Sequence, residues 1–535
     1  MVAQAESQAP AESANPGRLG LLLAAAMFVL VVDTSLMNVS ISAVVRDLGT
    51  TASGVQSAIA LEALVSAAFI LISSKLGDLF GRKLAYTLGL LGYAVGATAM
   101  VLADSLVPVV IFWAIVGGLG ASLLLPAMQS LIHGNFEGAA QRRVYALVGA
   151  SAAIAAAVGP LVGGFITTVW SWRVAFAGEV VIIAIVLSGL GLVKDVKFTG
   201  ERRIDIVGAA FSVFAMGGIV LGILVWEGGG EAVVALLAIG FASLGLLAWW
   251  LVRRKRRGEV PLIEPTLFRS KPFRIGISQQ MMQQIALGGL MIALPLFLQM
   301  VLEYSALGAG LMLAPLSLSM FAVATLVGRR AGNRRPAVII RLGFALVVIG
   351  VALMLPLVPR VEADSAWWLA VPLAIAGAGL GLLVSQLNNY TLAPIEAERI
   401  SEAAGVNSAA GSFGLSFGLA LAGSLMLASL AFNFTNAANA STVLPPEDKE
   451  QVASVLNEGA ELMSTTQLED LLADEPPEVQ DEIIRINEEV RPRALQIALL
   501  VPLLAGLLGL FNAFRMVRLP DVKPQADLEE FALGG

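Results

Sequence analysis

The chain has 535 residues, of which 57% are hydrophobic and only 14% are charged, and its mean hydropathy is +0.81. Soluble proteins carry about 25% charged residues, so this composition cannot cover a folded surface with polar groups, and lipid is the expected solvent. There is no cysteine and one histidine, His133. Disulfides and thiolate-bound metals are thereby excluded, and we predict no metal, no cofactor, no nucleic acid binding and no enzymatic activity.

Apolar segments long enough to cross a membrane follow one another along most of the chain. Residues 1–18 are polar and lack the pattern of a signal peptide, which predicts a cytoplasmic tail. A membrane-spanning helix needs about 20 mostly apolar residues. Fourteen segments meet this condition, near 19–45, 55–74, 84–103, 107–132, 141–168, 173–193, 204–226, 231–252, 273–302, 305–328, 337–359, 366–393, 403–433 and 494–517. Residues 518–535 form a second polar tail.

The distribution of Lys and Arg supports this count. If the segments alternate in direction, 27 of the 34 basic residues lie on the side of the N-terminus. Basic residues collect on the cytoplasmic side of membrane proteins. One missing span would scramble this asymmetry for every later loop, so we predict fourteen spans with both termini in the cytoplasm.

Residues 434–493 form a long segment on the opposite side, with 14 acidic and 4 basic residues. Apolar residues recur at helical spacing at Val452, Val455, Leu456 and Met463, and the spacing returns at Val479, Ile483, Ile486 and Val490. This pattern predicts two or three amphipathic helices outside the membrane. The segment is either a solvated cap or an acidic mouth that gathers cations.

A basic loop near residue 80 has a degraded copy later in the chain. The first copy reads Lys75-Leu-Gly77-Asp78-Leu-Phe-Gly81-Arg82-Lys83, and the second, eight spans later, occupies residues 328–335. The spacing indicates two related six-helix bundles, as in rocking-bundle transporters. We predict a first bundle at 19–194, a two-helix insert at 195–257, and a second bundle at 258–433 completed by 494–517.

Three motifs resemble signatures of the major facilitator superfamily. The Gly77-to-Lys83 loop is similar to its loop signature, and the run from Asp33 to Val39 is similar to the first-helix signature of its fourteen-span drug:proton antiporters. The third motif, the antiporter signature, is Gly159-Pro160-Leu-Val-Gly163-Gly164. The whole resembles quaternary-ammonium and multidrug efflux pumps.

The resemblance implies roles for two of these motifs. The loop, with Lys75, would latch the outward-open state, with Asp78 at a helix N-terminus and Arg82 paired with Glu137. The glycines permit a tight turn. In the antiporter signature, Gly159 and Gly163 would let helices approach closely, and Pro160 would bend its helix.

Asp33, Glu62 and Glu179 lie well inside predicted spans, away from the span ends. A carboxylate at mid-membrane costs about 2.5–3.5 kcal/mol on insertion scales, so such residues usually face a cavity and serve a function. We predict that Asp33, Glu62 and Glu179 bind protons or a cation. Glu62 and Glu179 replace an aromatic residue and an asparagine of the family, while Ala114 stands where the family usually has an arginine. This departure indicates that the proton-coupling route has moved.

Amides and methionines suggest a lining for a substrate cavity. Amide and thioether groups adapt to varied amphipathic ligands, although amides near a membrane surface also occur without a function. The predicted lining residues are Met37, Asn38, Phe69, Gln279, Gln280, Gln283, Gln284, Asn388 and Asn389.

Together these features favour a monomeric, proton-coupled exporter of lipophilic, cationic compounds in a bacterial cytoplasmic membrane, in contact with membrane lipids. One alternative is a dedicated exporter of an endogenous lipid, siderophore or secondary metabolite. An alternative of another class is a membrane sensor or scaffold that does not transport.

Overall fold

The computed structural model describes residues 16–136, 138–195, 204–226, 230–330, 335–361, 363–396, 399–445, 468–469, 472–473 and 475–519. All regular secondary structure within these residues is helical. Fourteen helices in the described part of the chain are long and apolar enough to cross a membrane. The predicted fold class, an all-α polytopic membrane protein with two six-helix bundles and a two-helix insert, is confirmed.

We number the fourteen helices in chain order. The first bundle comprises α1 (Pro16–Leu48), α2 (Ala52–Phe80), α3 (Arg82–Leu102), α4 (Leu106–Asn135), α5 (Gly138–Val169) and α6 (Trp172–Ser188). The insert comprises α7 (Ile206–Leu224) and α8 (Gly230–Arg256). The second bundle comprises α9 (Lys271–Val301), α10 (Ala306–Arg330), α11 (Pro336–Leu357), α12 (Ala370–Leu392), α13 (Ile400–Ala440) and α14 (Pro477–Val517).

Fourteen alternating helices bring the start of α1 and the end of α14 to the same end of the molecule. We call this the termini end and the opposite one the remote end. Short polar caps start several helices: Thr51 Oγ1 accepts the Gly54 N–H at 2.9 Å at the start of α2, and Asp205 does the same for α7. Such caps satisfy backbone donors that have no partner inside the helix.

The two helices that flank the acidic segment are longer than predicted. α13 continues to Ala440 and α14 begins at Pro477, rather than ending near 433 and beginning near 494. The apolar stripe at Val479, Ile483, Ile486 and Val490 is buried on this extension of α14, in one cluster with the end of α13. Its burial explains why the helix continues beyond the membrane-spanning part. The stripe predicted at 452–463 lies outside the described residues.

The bundles meet along two seams. In one seam α2 packs against α13, and in the other α5 packs against α10. Helix α7 of the insert packs against α8 and also against both α2 and α13. The insert is therefore placed beside one seam, and this position distinguishes the two sides of the molecule.

Candidate functional site

A cavity of about 280 Å³ lies between the two bundles. Helices α1, α2, α4 and α5 line it from the first bundle, and α9, α10 and α13 from the second. Its polar lining residues are Thr34, Ser35, Asn38, Glu62, Ser66, Gln284, Ser317 and Ser412, and its methionines are Met27, Met291 and Met320. A cavity with mostly apolar walls and a few polar groups is typical of a small-molecule site.

Glu62 is the only charged residue that lines this cavity in the described part of the chain. It lies in the first half of α2 and is 7% exposed. A lone carboxylate among apolar and hydroxyl groups favours a cationic partner over an anionic one. Of the three predicted acidic residues, Glu62 is therefore the one placed to contact a cavity ligand.

Asp33 lies behind the cavity wall, inside the first bundle. It is fully buried, and the Tyr93 hydroxyl donates to Asp33 Oδ2 at 2.5 Å. The Trp113 indole N–H lies 3.1 Å from both Asp33 oxygens. Two neutral donors can hold an ionised carboxylate in a low-dielectric interior because each compensates part of the lost hydration. Tyr93 and Trp113 were not predicted; Trp113 directly precedes Ala114, where the family's arginine is missing.

Glu179 completes the acidic group from α6. It is buried, and within the described residues neither of its carboxylate oxygens has a hydrogen-bond partner. Both Glu62 and Glu179 lie close enough to Asp33 for ionised charges to repel one another. Asp33, Glu62 and Glu179, which we call the acidic triad, thus occupy one region of the first bundle.

Several predicted lining residues lie elsewhere. Asn38 and Gln284 contact the cavity, but Met37 is fully buried in the core and Phe69 is not part of the wall. The remaining amides pack between helices of the second bundle or are exposed, and α9, which carries three of them, packs against α13 and α14. These residues are Gln279, whose Nε2 donates to the Gly509 carbonyl at 3.0 Å, Gln280 beside Gly411, buried Gln283, and exposed Asn388 and Asn389.

The basic loop forms the junction of α2 and α3 at the termini end. Gly81 has a φ of +106°, a conformation that favours glycine. Arg82 pairs with Asp78 one turn before it, and both side chains are largely buried. Lys83 does not join this pair: its Nζ donates to the Val193 carbonyl at 2.9 Å. Within the described residues Arg82 therefore has an intraloop partner, and Glu137 lies outside those residues.

The cap of α3 also differs from the prediction. Asp195, from the connection after α6, accepts the Lys83 N–H at 2.9 Å. The anion at this helix N-terminus is therefore Asp195 rather than Asp78. The loop binds the end of the first bundle together. Gly77 is buried against Arg82, and Lys75 is partly exposed.

The glycines of the antiporter signature lie at helix contacts. A side chain on Gly159 would collide with Ser35 of α1 at 2.6 Å, and one on Gly163 would meet the Leu36 backbone at 3.1 Å. Gly164 contacts the Ala306 backbone of α10, and the Pro160 carbonyl contacts Gly310. The signature therefore holds α5 against α1 and brings the two bundles together.

A second contact between the bundles at the remote end involves Gln299 of α9. Its Oε1 accepts from the Ser42 hydroxyl at 2.7 Å and from the Ser42 N–H at 3.2 Å. Its Nε2 donates to the Asn38 carbonyl at 3.4 Å. The Gln299 side chain thus bonds to the Ser42 N–H and to the Asn38 carbonyl, two groups that pair with each other in a regular α-helix. Nearby, Gln56 of α2 lies against Gly423 of α13. We call these contacts the remote seal.

Two bundles of apolar helices around a central cavity, closed at one end, define a membrane transporter. The family model of the Major Facilitator Superfamily matches residues 23–205 and 201–419 of this chain. Two solved structures have similar folds: a bacterial homolog to the human lysosomal transporter Spinster (TM-score 0.59, 12% identity, 94% of this chain and 98% of that one) and a peptide transporter POT (TM-score 0.56, 15% identity, 88% and 95%). The chain belongs to the major facilitator superfamily and is a secondary transporter, not an enzyme.

Sequence relatives carry more specific names. The chain is 28% identical over 411 residues to the multidrug resistance protein Stp of Mycobacterium tuberculosis, covering 76% of this chain and 75% of Stp. It is 28% identical over 429 residues to a probable actinorhodin transporter of Streptomyces coelicolor (78% and 73%). It is 26% identical over 423 residues to the multidrug export protein EmrB of Escherichia coli (77% and 81%).

Proposed function

We propose that this chain is a proton-coupled exporter of lipophilic, cationic compounds in a bacterial cytoplasmic membrane, with both termini in the cytoplasm. Similarity to Stp and EmrB supports drug export. The observation that carries the cationic preference is Glu62, the only charged residue in the cavity wall among those described. In the proposed orientation, the remote seal closes the external side, and the cavity is loaded from the cytoplasmic side.

The acidic triad supplies the exchange of protons for substrate. A buried charge is unfavourable unless it is paired. A bound cation pairs with ionised Glu62, and its departure leaves a carboxylate that is stabilised by taking up a proton. Asp33, which Tyr93 and Trp113 hold by hydrogen bonds, and Glu179, which has no such partner among the described residues, accept or return the proton behind the wall.

The membrane potential drives the cycle when more protons enter than cationic charges leave. Each net charge that crosses contributes about 2.3 kcal/mol per 100 mV. Alternating access then requires the remote seal to open while the bundles close at the termini end. The loop from Lys75 to Lys83 is the proposed latch for that closed end, and the glycines of α5 provide the contact about which the bundles rock. We propose that the chain works as a monomer.

The test is proton release from the purified protein in detergent when tetraphenylphosphonium is added. The wild type is expected to release protons on binding the cation, and the Asp33→Asn, Glu62→Gln double variant is expected to release far fewer. Asp104→Asn, at an exposed turn between α3 and α4, is the control and should behave as wild type. Undiminished release from the double variant would refute the assignment of coupling to these two carboxylates and would direct attention to Glu179.

Similarity to the probable actinorhodin transporter supports a second candidate, export of one endogenous product. A panel of chemically unrelated lipophilic cations separates the two functions. Export of several of them by inside-out vesicles supports the multidrug function. Export of none, with activity restricted to a metabolite of the host, supports the dedicated one.

A further inference from the structure

Asn38 of α1 offers a hydrogen-bond acceptor to the cavity. The residue lines the cavity wall and is 1% exposed. Its Nδ2 donates to the Thr34 carbonyl at 2.8 Å, which fixes the orientation of the amide. The amide oxygen, Oδ1, is buried and accepts no hydrogen bond from any described residue. A buried acceptor without a donor is unfavourable, so a ligand that brings an N–H to this oxygen is stabilised.

Two further oxygen groups of the wall can accept hydrogen bonds. The Glu62 carboxylate receives none from the described part of the chain, so its oxygens are available to a ligand. The Ser35 hydroxyl donates to the Val31 carbonyl at 3.3 Å, and the lone pairs of its oxygen can accept from a ligand. Ser35 and Asn38 are three residues apart and therefore share a face of α1. The wall thus combines one negative charge with two neutral acceptors on a neighbouring helix.

The cavity wall has no aromatic side chain among the residues that the structure describes. The rings of Phe413 and Phe417 of α13 pack with centroids 6.0 Å apart, outside the wall. Quaternary ammonium ions donate no hydrogen bond, and proteins recognise them through aromatic faces. The apolar part of the wall consists of aliphatic and methionine side chains, which adapt to an alkyl chain. The cavity therefore suits an ammonium group that carries hydrogens and lacks the rings that suit a quaternary ion.

We propose that the cavity selects protonated alkylamines over quaternary ammonium ions, because Asn38 Oδ1 and Ser35 Oγ accept hydrogen bonds from the substrate nitrogen while Glu62 pairs with its charge. This inference rests on the proposed function and narrows its cations to one chemical class. A primary ammonium group has three donors, one for each of these acceptors. A quaternary ion of equal charge pairs with Glu62 but leaves both neutral acceptors unsatisfied, and a site with buried polar groups rejects an analogue that cannot bond to them.

The test compares octylammonium with octyltrimethylammonium, which share the charge and the alkyl chain. Like a lysine side chain, the amine is protonated at pH 7. Each ion displaces labelled tetraphenylphosphonium from the purified full chain in detergent, and its half-displacing concentration gives its affinity. Methylation makes an ammonium ion easier to remove from water, so desolvation alone favours the quaternary ion. We expect the wild type to bind octylammonium about tenfold more tightly or better.

Two variants separate hydrogen bonding from size. Asn38→Leu keeps a side chain of similar volume but removes the acceptor, and it should lower the preference for octylammonium about fivefold. Ser35→Ala is a smaller change that removes the second acceptor, and it should lower the preference about twofold. Asn433→Leu is the matched control, because Asn433 Nδ2 also donates to the carbonyl four residues earlier, at 2.7 Å, but the residue lies outside the cavity wall. It should keep the wild-type preference.

Equal affinities in the wild type, or tighter binding of the quaternary ion, would overturn the amine preference and leave the cation-exporter function intact. A wild-type preference that persists undiminished in both Asn38→Leu and Ser35→Ala would show that size selects the substrate, and would overturn the assignment to these acceptors. If neither tetraphenylphosphonium nor either alkyl ion binds to the wild type, the cation-exporter function fails together with this inference.

Discussion

Replacement of Gln299 by leucine should open the remote end of the transporter. Leucine has a similar size but cannot bond to α1, so Gln299→Leu removes the amide that joins α9 to Ser42 and Asn38. These bonds exist only while the bundles are together at this end. Their loss therefore destabilises one conformation and leaves the other unchanged, which is the condition for shifting a conformational equilibrium.

The size of the shift follows from the bonds that are lost. The 2.7 Å bond from the Ser42 hydroxyl is strong, whereas the Ser42 N–H and the Asn38 carbonyl keep each other as possible partners within α1 after the substitution. A net value of about 0.5–1.5 kcal/mol per hydrogen bond, for about two effective bonds, gives roughly 1–3 kcal/mol. Such a change raises the population ratio of the remote-open conformer about 5- to 150-fold.

The assay is the distance between spin labels on two cysteines introduced across the remote end, one in each bundle, measured by pulsed electron paramagnetic resonance. Gln280→Leu is the control because it makes the same replacement in the same helix, away from the remote seal. We expect a longer-distance population to grow in Gln299→Leu and not in Gln280→Leu. Identical distance distributions in all three proteins would show that Gln299 does not hold the seal closed.

Three further predictions concern packing, the loop and pH. Gly159→Leu should abolish export while the protein remains in the membrane, because the site has no room for a side chain. Gly178→Leu is the control and should export normally, because a side chain there would meet nothing within 4 Å. Normal export by both variants would contradict the packing role. Asp78→Asn should remove most export, because it leaves Arg82 buried without its charge partner. Transport in vesicles measures the export, and immunoblotting of the membrane fraction shows that the variant is present. Full transport activity of the variant would contradict this prediction. At Glu264 burial alone would raise the pKa, but hydrogen bonds from a neighbouring lysine and threonine outweigh it and lower the pKa below the ordinary 4.5. Ionised Glu264 therefore stabilises the folded state above that pH, and this stabilisation is lost as the pH falls below it. Thermal unfolding in detergent should show a larger acid-induced loss of Tm in the wild type than in Glu264→Gln. Equal losses of Tm would contradict this prediction.

The positions of the acidic triad separate what could be predicted from what could not. The prediction that Asp33, Glu62 and Glu179 serve a function follows from their cost within apolar helices, which depends on local sequence alone. Which of them touches the cavity depends on how α1, α2 and α6 are rotated in the bundle. Asp33 is turned toward Tyr93 and Trp113, which are 60 and 80 residues away in sequence, and no local pattern indicates such partners.

The amides of α9 illustrate the same limit. Gln279, Gln283 and Gln284 lie on neighbouring turns of one helix, and the sequence predicted a common cavity face. The structure divides them, because Gln279 bonds to the Gly509 carbonyl of α14 while Gln284 lines the cavity. Gln299, which bonds α9 to α1 at the remote end, stands in no recognised motif. Its role arises only where α9 meets α1.

The sequence by itself determined the lipid solvent, the fourteen helices and the two-bundle repeat with its insert. Each of these depends on whether a segment of about 20 residues satisfies its own backbone in lipid, which is decided within the segment. Only the tertiary structure decided which seam the insert covers, which carboxylate reaches the cavity and which contacts close the remote end. These are set by the packing of side chains from helices far apart in the chain, and in lipid that packing has no strong hydrophobic signature from which it could be deduced.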